Sequence, residues 1–61
     1  MMEDVKELER KKNWAMEMAL FCLNLALQYK KEGKREFQEK ATVATNNWID
    51  EYIRINSKLE D

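Results

Sequence analysis

The chain has no histidine and no proline, and only one glycine and one cysteine among 61 residues. Without histidine there is no imidazole to act as a base or metal ligand near neutral pH. Without proline, nothing inside a helix forces a kink or a stop. A single cysteine cannot form an internal disulfide, so the usual staple of very small domains is missing. An unpaired thiol suits a reducing compartment. An excess of charge of either sign is also missing: 11 basic and 12 acidic residues leave a net charge of −1. Dedicated nucleic-acid readers are usually strongly basic. The N-terminal stretch MMEDVKELER is acidic and polar, unlike a secretory leader. The expectation is a cytoplasmic protein with no cofactor and no room for an enzyme's supporting shell.

What is present is enough apolar material to fold. Hydrophobic residues make up 44% of the chain and include two tryptophans, unlike a disordered segment. A domain this short buries only about 60% of the surface its unfolded chain exposes. With no disulfide and no metal set, oligomerisation or a bound partner is the remaining source of stability.

Gly33 sits mid-chain, inside Lys30-Lys31-Glu32-Gly33-Lys34-Arg35. A glycine after a periodic segment, with lysines in the last turn, marks a helix C-terminus. The expectation is one all-α domain: helix 1 over about residues 2–31, a turn around Gly33, and helix 2 over about 35–59. A short connection makes the helices antiparallel neighbours. Lys34 and Arg35 are poor N-caps for helix 2, which leaves a continuous helix through Gly33 as the alternative. Residues 42–47, TVATNN, are the weakest helical stretch by propensity and a candidate kink or break. Acid-first pairs at i,i+4 (Glu7–Lys11, Glu36–Lys40 and Asp50–Arg54) support both helices.

On a helical wheel, helix 2 carries one apolar stripe of Phe37, Ala41, Ala44, Trp48, Tyr52, Ile55 and Leu59, extended on one side by Ile49 and Ile53. Helix 1 is different. From Trp14 to Tyr29, 13 of 16 residues are apolar, and they fall into three rows. The central row is small: Ala15, Ala19, Cys22, Ala26. One flank holds Trp14, Met18, Phe21 and Leu25, and the other Met16, Leu20, Leu23 and Leu27. One amphipathic helix cannot cover three rows, and soluble monomers rarely leave such a patch bare. The expected architecture is therefore an antiparallel hairpin that dimerises into a four-helix bundle. Ala15, Ala19, Cys22 and Ala26 are the candidate dimer seam, helix 1 against helix 1′, because small side chains let helix axes approach closely. The alternative is that they face Trp48 and Tyr52 of helix 2. Residues 1–9 sum to −3, residues 50–61 to −2 and residues 30–35 to +3, which favours an antiparallel dimer.

The chemistry-bearing residues are sparse. Cys22 lies in the apolar seam with no base beside it, and a reactive thiol needs exposure and a lowered pKa. Ser57 has no partner signature. Glu36/Glu39 and Asp50/Glu51 lack any metal-binding spacing. The expectation is that the chain is not an enzyme. Residues 13–29 are at the short limit for a membrane span and include Glu17, Asn24 and Gln28, so insertion is not expected.

Faces rich in Met, Leu, Phe and Trp suit helix-in-groove recognition. Trp14, Met16, Leu20, Leu23 and Leu27 are the candidate contacts for a partner protein, with Met16, Leu20, Leu23 and Leu27 alternatively completing a bundle core. The reading is a small binding regulator, adaptor or inhibitor, of the size that phages and mobile elements encode. In length and layout the chain resembles small plasmid copy-number regulators, which dimerise as helical hairpins and bind RNA loops; none of their motifs is matched. The resemblance implies an RNA-binding dimer as the alternative, using Arg10, Lys11 and Lys12 with Lys30, Lys31, Lys34 and Arg35. A third reading is a purely structural or designed bundle. A designer would supply helix caps and avoid a free cysteine.

Overall fold

The computed structural model describes residues 4–60. Two helices, α1 (Val5–Lys31) and α2 (Arg35–Glu60), pack against each other as a hairpin. The expected start of helix 1 at residue 2 falls partly outside the described residues. Asp4, read as helical, is instead the N-cap: its backbone is extended (φ −69°, ψ 135°), and its carboxylate accepts the Lys6 amide at 3.1 Å. An aspartate three residues before Glu7 is a good cap for orphan amides.

The chain reverses at Gly33, which adopts φ +73°. The Gly33 amide donates to the Lys30 carbonyl (3.1 Å) and the Lys34 amide to the Tyr29 carbonyl (2.9 Å). This paired pattern ends helices at a left-handed glycine, and it rules out the continuous helix. Lys34 reaches back to Glu32 at 3.4 Å, and Tyr29 and Phe37 close the turn with ring centroids 5.5 Å apart.

α2 runs unbroken through residues 42–47, so the expected weak point is not a break. Thr42 and Thr45 hydroxyls donate to the carbonyls of Gln38 (2.9 Å) and Ala41 (2.8 Å). Each threonine thus satisfies its own polar atom within the helix. Arg54 pairs with Glu51 at 3.3 Å (i,i+3), one residue nearer than the expected Asp50.

The core is thin. Leu8, Ala15, Ala19, Cys22 and Ala26 of α1 are buried, with Ala41, Thr45 and Ile55 of α2. Ala15 is 1% exposed, yet among the described residues no large side chain is fully buried. The molecule is a rod of 47 × 16 × 13 Å. Its radius of gyration is 14.0 Å, against about 10.5 Å for a compact domain of this length.

Candidate functional site

The small row of α1 is buried inside a single hairpin, against α2. The expected helix 1–helix 1′ seam at Ala15, Ala19, Cys22 and Ala26 therefore has no free surface, because α2 already fills it. Trp48 and Tyr52 are half-buried on the facing side of α2, as in the alternative reading. With Phe37 exposed and Thr45 buried, the inward stripe of α2 is centred on Ala41, Thr45, Trp48, Tyr52 and Ile55.

The flanking rows remain open. Met16, Leu20, Leu23 and Leu27 are all exposed, as are Trp14 and Phe21. At about 100° per residue, the two flanks of α1 leave its buried row in opposite directions. Moving round α1 in the sense of increasing residue number leads to Met16, Leu20, Leu23 and Leu27. The same sense round α2 leads to Ile49 and Ile53, also exposed. Because the helices run antiparallel, both moves lead to the same broad side of the hairpin. This side is an apolar face built from both helices.

Trp14 does not belong to that face. Its phase puts it with Met18, Phe21 and Leu25 on the opposite side, so the five candidate partner contacts divide four to one. The α2 half of this second side carries Lys40, Asn47, Glu51 and Lys58, a charged surface beside the α1 aromatics. Ile49 and Ile53, expected as an extension of the core stripe, are instead a missing half of the first face.

The basic residues do not converge. Arg10, Lys11 and Lys12 lie some 20 residues from Lys30 and Lys31 along one helix, about 30 Å at 1.5 Å per residue. The turn cluster is interleaved with Glu32, which pairs with Lys34. Two shallow hollows indent the surface along the first turns of α2. One is lined by Glu36, Glu39, Lys40 and Val43, and the other by Lys30, Arg35, Gln38 and Thr42 among others. Glu39 also lines the second, where the Thr42 hydroxyl donates to the Gln38 carbonyl. Cys22 is buried as a free thiol. Among the described residues no group of three or more acidic or thiol side chains is placed to hold a metal ion. Nor is any described helix long and apolar enough to cross a membrane. No protein-family model, curated protein or solved structure matches the chain.

Proposed function

We propose that this chain is a non-enzymatic protein-binding module, a small regulator, adaptor or inhibitor. It self-associates into a four-helix bundle and presents an apolar helical surface to another protein. The observation that carries this reading is the mismatch between a thin core and a wet exterior. The hairpin exposes 5227 Å², whereas a compact monomer of its 7.4 kDa exposes about 4,200 Å². Exposed Leu, Ile, Met, Phe and Trp side chains contribute to that area, and contiguous apolar surface marks interaction sites.

Light scattering over a concentration series, without detergent, tests self-association. The expected result is a mass of about twice 7.4 kDa at micromolar concentration and above, typical for a modest interface. A monodisperse monomer throughout removes that half of the proposal. The partner half is tested by a photo-cross-linking amino acid at Trp14, introduced in the cell of origin. A discrete heterologous adduct that disappears in Phe21→Ser is expected. No adduct other than self overturns the reading of this surface as a docking site.

A further inference from the structure

Resting on the self-association proposed above, we infer that the second copy seats on the Met16/Leu20/Leu23/Leu27–Ile49/Ile53 face, antiparallel, about a two-fold axis crossing the hairpin's width near Leu20. Three features favour this face over its opposite.

First, its composition fits a bundle layer. Apolar side chains come from both helices, and between residues 13 and 29 of α1 and residues 38 and 56 of α2 the face carries no charged residue; Gln38, Thr42 and Asn46 are neutral. The opposite face would force Lys40, Glu51 and Lys58 out of water, and buried charges cost more than their pairing returns unless geometry is excellent.

Second, the size fits. The 47 × 16 Å broad side bounds the footprint at about 750 Å², of the order of the roughly 800 Å² per partner of a standard stable interface.

Third, the rim charges select polarity. At the turn end this face is bordered by Lys30 and Arg35. At the terminal end it is bordered by Glu9 and Glu60, and by Lys12 at the same angle around α1 as Lys30. A parallel pair, related by an axis along the helices, would lay α1 over α2′ and stack Lys30 on the partner's Arg35. In the antiparallel pair α1 lies over α1′ and α2 over α2′. Lys30 then meets the partner's Glu9 and Arg35 meets the partner's Glu60. Both pairings place the axis near Leu20, the middle of the uncharged stretch. Each pair is weak alone, but together they oppose the parallel arrangement. The contact is isologous and closes at two copies.

The test uses two single-cysteine chains made in a Cys22→Ala background, Leu20→Cys and Phe21→Cys, oxidised and run on non-reducing gels. Leu20→Cys is expected to give a covalent dimer and Phe21→Cys is not. Only the antiparallel pair brings position 20 beside its own copy, within the short span a disulfide requires. In parallel, Leu23→Glu is expected to weaken dimerisation about a hundredfold or more, since each copy would bury an unpaired carboxylate. Leu23 is 44% exposed in the hairpin, so helicity should persist. Cross-linking through position 21 assigns the contact to the opposite face and overturns the inference. A parent chain of dimer mass in which Leu20→Cys fails to cross-link overturns the polarity. A monomeric parent overturns the self-association on which all of this rests, and that result is read independently, from mass alone.

Discussion

Single residues decide where the helices begin and end. Gly33 holds a left-handed backbone, and a Cβ there would meet nothing within 4 Å. The penalty for Gly33→Ala is therefore conformational alone, about 1–2 kcal/mol, visible as a lower denaturation midpoint with unchanged helicity. An unshifted midpoint would mean that the turn relaxes freely. Asp4→Ala removes the cap on the Lys6 amide and should cost about 0.5–2 kcal/mol. Amide exchange in the first turn of α1 would rise, while exchange near Cys22 would not. Cys22 is 8% exposed, so its reaction with a thiol reagent should wait on opening of the helix pair and should accelerate with denaturant. Immediate labelling of the folded chain would contradict that burial. The glycine was readable in the sequence because no other residue there tolerates the conformation. The Asp4 cap was harder to read, because an aspartate in an acidic, polar N-terminus looks the same inside a helix as before one.

At the scale of the element, periodicity carried both helices to within a few residues, since 3.6-residue spacing of apolar side chains is their main signal. Its failures were of two kinds. Propensity marked residues 42–47 as weak, but Thr42 and Thr45 hydroxyls bond back to the preceding turn, and tertiary packing of Thr45 outweighs a few tenths of a kcal/mol per residue. A threonine whose hydroxyl is satisfied locally packs much as valine does, which is why Thr45 lies inward while polar/apolar patterning excluded it. The second failure concerns direction. A stripe wider than the helix it faces must leave one margin uncovered, and the pattern alone does not say which. Ile49 and Ile53 were the uncovered margin. The alanine row of α1 likewise admitted two close-packing neighbours on sequence grounds, and the adjacent helix took it. Ala19→Leu should therefore damage the hairpin itself, by about 1–3 kcal/mol through overpacking, with a fall in midpoint even at concentrations where the chain is monomeric. Loss of dimer mass at undiminished hairpin stability would mean that the row also serves a second copy.

For the whole molecule, the sequence made visible that one hairpin cannot cover its own apolar residues. It did not show how those residues divide. The division follows from helical phase combined with antiparallel direction, and the second of these becomes definite only once Gly33 reverses the chain. The two broad sides then have different characters. One is neutral and apolar across both helices; the other sets Trp14 and Phe21 beside Lys40, Glu51 and Lys58. Exposed aromatics ringed by charge resemble the anchor-and-rim arrangement of interfaces between different proteins. Under the proposed function, truncating Trp14 to alanine should leave self-association unchanged, measured by sedimentation or light scattering, and weaken capture of a partner protein. A monomeric Trp14→Ala chain would join the two surfaces into one.

The alanine core has a consequence for the life of the chain in a cell. A lone copy has little interior to hold it shut, so it samples open, cleavable forms readily, and proteolysis draws on that open population. The proposed pairing would withdraw copies from that pool by mass action. Under the proposed dimer, turnover would therefore fall as the amount of protein rises: newly made, scarce chains are short-lived and abundant ones persist. A threshold in expression, rather than a proportional response, would then govern when the module becomes available to its partner.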